Sequence, residues 1–226
     1  MRPSYFITGI DTDAGKSIVT GLLARFLLEK GVRVITQKMA QTGGSDFSHD
    51  IATHRSIMRS RPFPEDETSL TCPYLFAYPA SPHLAAEMEG RCIEPETIHA
   101  ACEELSKRYS CVLTEGVGGL MVPLQNELTV LDYMVRFPQP TVLVTHGKLG
   151  SINHTLLTLE VCKQHNIRLV AVIYNHGISG ETLINVSSRN FIREKSANYY
   201  PDAAFIEIPF WKEDLPTPDF SPIFEK

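Results

Sequence analysis

Residues 5–17 read YFITGIDTDAGKS, and they restrict the fold more than any other stretch of the chain. Residues 5–8 are apolar and β-branched, the loop after them runs from Gly9 to Gly15, and Lys16 and Ser17 lead into an apolar pattern. Ile18, Val19, Leu22, Leu23, Phe26 and Leu27 fall on one helical face, and Gly31 supplies a stop. The order is strand, phosphate-binding loop, amphipathic helix. A triphosphate needs many donors at close range, and the N–H groups at a helix N-terminus supply them together with the favourable end of the helix dipole. Lys16 is then placed to reach the β and γ phosphates, and the Ser17 hydroxyl to bind Mg²⁺. The spacing departs from the common form, because five residues rather than four separate Gly9 from Gly15 and Ile10 stands where the first glycine is usual.

A chain of 226 residues can bury a core of its own, and no linker, repeat or low-complexity tract divides it, so residues 1–226 read as one domain. The formal net charge is −5 and no lysine or arginine cluster is dense enough for nucleic acid, which leaves a small molecule as the expected partner. Cys72, Cys92, Cys102, Cys111 and Cys162 are scattered and include no CxxC pair. They read as reduced packing residues of a cytoplasmic protein. The N-terminal MRPS runs straight into the first strand, leaving no room for a signal peptide, and no apolar run is long enough to span a membrane.

Further strands are expected at residues 33–38, 111–114, 141–145, 168–174 and 204–208, and helices at 97–109, 155–164 and 183–196, with a helical patch within 45–60. Strands alternating with helices imply an α/β fold with a mostly parallel sheet flanked by helices. In such sheets ligands gather at the carboxyl ends of the strands, so Lys38 should point toward the same site as Lys16. Thr42, Gly43 and Gly44 suggest a loop closing near a ligand. Glu115 ends a short buried strand and is followed at once by glycines, as a Mg²⁺ site beside a phosphate loop requires. Asp50 lies beside His49 and His54, which are five apart and so do not form a metal pair on one helix face. Gly150, Ser151, Ile152 and Asn153 fall at a helix N-terminus suited to an anion such as a carboxylate, while Asn175 ends a strand where a nucleotide base could be read. The proline-rich residues 61–93 are expected to be irregular, and such long loops are usually functional.

These segments together resemble the dethiobiotin synthetase family over nearly the whole length. GIDTDAGKS is similar to that family's phosphate loop GTDTxVGKT, and QKMAQTG to its YKPVxTG; PYLFAYPASPH, EGVGGLMVPL and KLGSINHTLLT follow in the family's order. The resemblance implies a P-loop NTPase-like fold and an ATP- and Mg²⁺-dependent ligase that makes dethiobiotin from 7,8-diaminopelargonate and CO₂ or bicarbonate, releasing ADP and phosphate. It implies that Lys16 and Lys38 are catalytic, flanking the transferring phosphoryl group and a carbamate. Ser17, Asp50 and Glu115 would hold Mg²⁺; Asp13, Ala14, Gly15, Lys16, Ser17, Ile18 and Glu115 would line the nucleotide, with Asn175 and Pro209 on adenine. Thr12, Asp13, Thr42 and Gly118 would meet the diamine end. Its carboxylate tail would reach Gly150, Ser151, Ile152 and Asn153 of the other subunit of a homodimer. Met39 replaces the family's usual proline after the lysine and Gln37 its tyrosine, so a looser aim of Lys38 is expected. Residues 176–196 match the family poorly.

The competing readings differ in class. A dimeric nucleotide switch of the partition type would carry a second lysine early in the loop, where Asp11, Thr12 and Asp13 stand instead. A cobyrinate-type amide synthase would need a second domain, and a degenerate, binding-only relative has Met39 alone in its favour.

Overall fold

Ser4–Gly9 forms strand β1, and the next strands in the chain are β2 (Val34–Lys38), β3 (Gln41–Thr42), β4 (Leu75–Phe76), β5 (Cys111–Glu115), β6 (Pro123–Gln125), β7 (Leu128–Thr129), β8 (Thr141–His146), β9 (Leu169–Asn175) and β10 (Ala204–Ile208). The helices are α1 (Lys16–Glu29), α2 (His49–Met58), α3 (Pro64–Glu67), α4 (Pro82–Met88), α5 (Pro95–Arg108), α6 (Val130–Arg136), α7 (Ser151–Gln164), α8 (Leu183–Tyr199) and α9 (Ser221–Phe224). The computed structural model describes residues 3–44, 46–178, 183–209 and 216–224.

Six strands make one sheet in the order β10-β9-β8-β1-β5-β2, and every pairing in it is parallel. The carboxyl ends of β1, β2, β5, β8 and β9 therefore all meet one edge of the sheet, with β1 in the middle. Alternate side chains divide between the two faces of the sheet, as the period of a strand requires. Ile7, Val34 and Leu113 join α1 on one face, while Phe6 packs with Tyr133 of α6, and Ile35 and Val112 pack with Leu105 of α5. Burial on both faces explains why β2 and β5 are buried at every position.

The expected strand and helix positions stand within a few residues, and four expectations need correcting. Helix α1 is not a half-exposed amphipathic helix, because its middle, residues 19–27, is buried all round. Ile57 of α2 closes on Gly21, where an added Cβ would sit 2.9 Å from the Ile57 side chain, and Phe220 and Phe224 cover Phe26. Residues 61–93 are not simply irregular, since they hold α3, β4 and α4. Part of that segment runs along the outer edge of β2, with Lys38 N–H donating to Thr71 O at 2.7 Å, so it shields an otherwise open strand. Cys92 is exposed, whereas the other four cysteines are buried as expected; all five are free thiols. The β6–β7 pair and α6, absent from the sequence reading, fill residues 123–136. Among the described residues no helix is long and apolar enough to cross a membrane.

Candidate active site

The loop after β1 turns through a short 3₁₀ segment at Thr12–Ala14 and enters α1 at Gly15, whose φ of 90° lies in the left-handed region that glycine adopts without strain. Gly119 approaches this loop closely, with an added Cβ only 3.4 Å from the carbonyl oxygens of Gly9 and Ile10. Between the loop and the ends of β2 and β5 lies a cleft of about 500 Å³. It brings together Thr12, Asp13, Gly15, Lys16, Ser17, Ile18, Lys38, Thr42, Asp50, Glu115 and Gly118, which is most of the expected set.

At its floor the sheet register sets Lys38 opposite Glu115 on neighbouring strands. Lys38 Nζ reaches Glu115 Oε1 at 2.8 Å, Asp50 Oδ2 at 2.6 Å and the Gly116 carbonyl at 3.0 Å. Burial alone would lower the Lys38 ammonium, yet Glu115 and Asp50 outweigh it and hold the group above the usual lysine range. Burial alone would likewise raise the Glu115 carboxyl, and Lys38 with the His54 hydrogen bond keeps it well below the carboxylate range. One ammonium between two carboxylates leaves the cluster one negative charge in excess. Ser17 Oγ lies 2.9 Å from Asp50 Oδ1 and 3.0 Å from Glu115 Oε1. A hydroxyl has one proton and can donate to only one of them. These are hard oxygen donors gathered at one point, and such donors are what Mg²⁺ takes. No group of three or more His, Cys, Asp or Glu suited to a metal occurs among the described residues. Two carboxylates and a hydroxyl instead suit an ion that fills its other positions with water and phosphate.

Met39 does not loosen Lys38. Its N–H donates to the Glu115 carbonyl at 2.9 Å, a bond that proline could not make. Gln37 is wholly buried, donating to Ile98 O at 3.2 Å and accepting from Thr114 Oγ1 at 3.0 Å. The sequence assigns no role to two residues that bear on the site, Gln41 in the cleft and His54 buried behind it. Gln41 Oε1 accepts from Ser48 Oγ at 2.9 Å and from Asp50 N–H at 3.1 Å, which fixes the first turn of α2 and with it Asp50. His54 stands behind Glu115, its Nε2 2.6 Å from Oε2. The signal that could have found it is the i, i+4 spacing from Asp50, which puts both on one face of α2.

Other expected residues lie elsewhere. Asn175 Nδ2 donates to Ala14 O at 3.2 Å and Oδ1 accepts from Gly177 N–H at 2.9 Å, so this buried amide ties the phosphate loop to the end of β9 and keeps a single N–H for a base. Pro209 is exposed just past β10. Gly150, Ser151, Ile152 and Asn153 open α7 outside the cleft; Gly150 has φ 95° and gives no side-chain cap, and Ser151 Oγ is buried without a partner.

Lys16 Nζ donates to Asp11 O at 2.8 Å and Thr12 O at 3.2 Å, folded back on its own loop. Burial first, and the Lys38 charge second, push this amine down to about 8. Phosphate oxygens beside it would favour the charged form and raise it again. Nucleotide binding near pH 8 is therefore expected to take up protons, and affinity to fall as the pH rises through and above 8. Calorimetry in buffers of different ionisation enthalpy reads the uptake directly; binding with no proton exchange at pH 8 would contradict this picture of Lys16.

A parallel sheet with a glycine-bounded loop between its central strand and a buried helix defines a phosphate-loop nucleotide-binding protein, and the chain matches the AAA domain family over residues 3–198. The same fold occurs in a ParA family ATPase from Chlorobium tepidum TLS, with a TM-score of 0.56 at 16% identity over 94% of this chain and 85% of that one. It occurs again in chloroplast FtsY from Physcomitrella patens, with a TM-score of 0.54 at 16% identity over 99% of this chain and 64% of that one. At these identities the likeness is one of fold alone. Sequence likeness is narrower: the chain is 46% identical over 205 residues to the ATP-dependent dethiobiotin synthetase of Pasteurella multocida, covering 91% of this chain and 96% of that one. It is 48% identical over 206 residues to that of Haemophilus ducreyi, covering 91% and 98%, and 47% identical over 203 residues to that of Chlorobaculum tepidum, covering 89% and 85%. The chain belongs to the dethiobiotin synthetase family.

Proposed function

We propose that the protein is an ATP-dependent ligase that closes the ureido ring of dethiobiotin from 7,8-diaminopelargonate, CO₂ and ATP. The observation that carries this reading is the convergence of Lys16, Lys38, Ser17, Asp50 and Glu115 on one cleft in a chain of this family. One amine of the diamine adds to CO₂ and loses a proton, giving a carbamate. A carbamate oxygen then attacks the γ-phosphorus of ATP and ADP departs. The second amine attacks the carbonyl carbon of that mixed anhydride and gives up a proton, phosphate leaves, and the ring is closed. In the middle step two anions must approach, so fixed positive charge and positioning supply most of the rate. Lys38, aimed by its strand register and held charged by Glu115 and Asp50, lies at the carbamate side of the transferring group, and Lys16 at the nucleotide side. Ser17, Asp50 and Glu115 would hold Mg²⁺, which when bound supplies further neutralisation of phosphate charge. Thr12, Asp13, Thr42 and the backbone at Gly118, where φ is +58°, face the diamine end, and Asn175 and Pro209 the adenine.

The carboxylate tail falls to Gly150, Ser151, Ile152 and Asn153 of a second copy of the chain. In support, the orphaned Ser151 hydroxyl and the uncapped first turn of α7 are suited to a carboxylate. Leu149, 93% exposed, stands just before that helix; Leu157 is exposed further along it, and the exposed Met121 lines the same hollow as Leu157, His154 and Thr158. A tracer test follows: with ATP, Mg²⁺ and the diamine, ¹³C-bicarbonate should yield dethiobiotin one mass unit heavier. A product without the label, or no product, would overturn the reading.

A further inference from the structure

Glu115 is 1% exposed, and its two carboxylate oxygens have separate surroundings. Oε1 faces the cleft, with Lys38 Nζ at 2.8 Å and Ser17 Oγ at 3.0 Å. Oε2 faces the interior and has His54 Nε2 at 2.6 Å. His54 is completely buried, so no water competes for that bond. Its other ring nitrogen, Nδ1, lies 3.0 Å from Thr36 Oγ1, and Thr36 Oγ1 already accepts from Arg55 Nη1 at 2.8 Å. Arg55 is in turn held by Asp66 through Nε at 2.9 Å and Nη2 at 2.7 Å. The proton directions follow from the inventory of each group. Glu115, paired with Lys38, is a carboxylate and can only accept, so Nε2 carries the proton aimed at Oε2, while the Thr36 hydroxyl, which accepts from Arg55, completes the contact at Nδ1.

We propose that His54 is a positioning residue: through Nε2–H it ties Oε2 of Glu115 and so presents Oε1 alone, as a one-oxygen ligand, to the cation side of the cleft. This rests on the cleft being the metal–nucleotide site proposed above. A carboxylate without such a partner could turn about its terminal torsion and offer either oxygen or both, and Oε2 would be a buried acceptor lacking a donor. Asp50 and His54 stand one helical turn apart on α2, so the element that brings one carboxylate to the cleft also locks the other from behind. Outer partners of metal ligands are generally worth tenfold to a hundredfold in metal affinity.

The test uses Mn²⁺ as the probe, titrated by electron paramagnetic resonance with a non-hydrolysable ATP analogue bound. His54→Leu, close in volume and unable to donate, should weaken Mn²⁺ binding about tenfold. His54→Gln, whose amide N–H can stand near the Nε2 position, should recover most of that loss. Unchanged Mn²⁺ affinity in a folded His54→Leu protein, or no recovery in His54→Gln, would overturn the proposal. If His54→Leu does not fold, ¹⁵N NMR of the unaltered protein decides: a proton on Nε2 supports the proposal and a bare Nε2 overturns it. Wild-type protein that binds Mn²⁺ no better with nucleotide than without would instead sink the reading of the cleft on which this stands.

Discussion

Lys38→Ala is expected to lose at least a hundredfold in turnover while nucleotide still binds, and to make the fold lean on divalent cations for stability. Lys38 is 4% exposed and is the ammonium shared by Asp50 and the buried Glu115. Removing one partner of a buried ion pair costs about 3–5 kcal/mol because the other charge stays behind without compensation. In a chain of this size that is a fall in melting temperature of roughly 10 °C. A divalent cation entering among Ser17, Asp50 and Glu115 would bind the folded form alone, so millimolar Mg²⁺ should recover much of the lost stability. Lys16, Gly15 and the first turn of α1 are untouched, which is why nucleotide affinity should change little. Melting curves with and without Mg²⁺, a nucleotide titration and a turnover assay separate these effects. Near-normal turnover in Lys38→Ala would remove the lysine from the mechanism.

Arg55→Ala should cost about 3–5 kcal/mol although Arg55 lies outside the cleft. Its guanidinium is buried, grips both oxygens of Asp66, donates to Thr36 and stacks on the Phe63 ring at 4.6 Å. Asp66 also accepts from Phe63 N–H and Thr71 Oγ1, each at 2.8 Å, so this one pair fastens the segment that shields β2. Burial works against the Asp66 charge, and the Arg55 hydrogen bonds prevail and hold its carboxyl below the ordinary range. A depressed carboxyl stabilises above its unfolded value and loses that contribution as the pH falls through its folded value. Wild-type and variant melting temperatures should therefore lie far apart at pH 7 and converge on acidification. Replacing both partners by leucine should cost less than Arg55→Ala alone, since no charge is then stranded. A difference below about 1 kcal/mol at pH 7 for the single variant would contradict this account of Arg55.

What could be read from the sequence was local and chemical. The glycine-bounded loop needs no tertiary partner to be recognised, and Lys38 and Glu115 could be placed because each ends an apolar run in a fold that gathers strand ends at one edge. What could not be read depended on distant covers or on small signals. Helix α1 reads as amphipathic until Phe220 and Phe224, some 200 residues away, close over its outer side. Pro64 and Pro82 read as breaks in sequence, yet they open α3 and α4, where a missing N–H costs nothing. Helix α6 has a capping box between Thr129 and Asp132 that a search for long periodic runs passes over. His54 lies five residues from His49 in sequence, but its partner is Glu115, 61 residues further along the chain.

The decisive measurement for the ligase reading is phosphate release from ATP and Mg²⁺ by the purified protein, with and without 7,8-diaminopelargonate and bicarbonate. On that reading, release should depend on the diamine and equal the dethiobiotin formed, one for one. Slow release indifferent to the diamine, with no dethiobiotin, would contradict it.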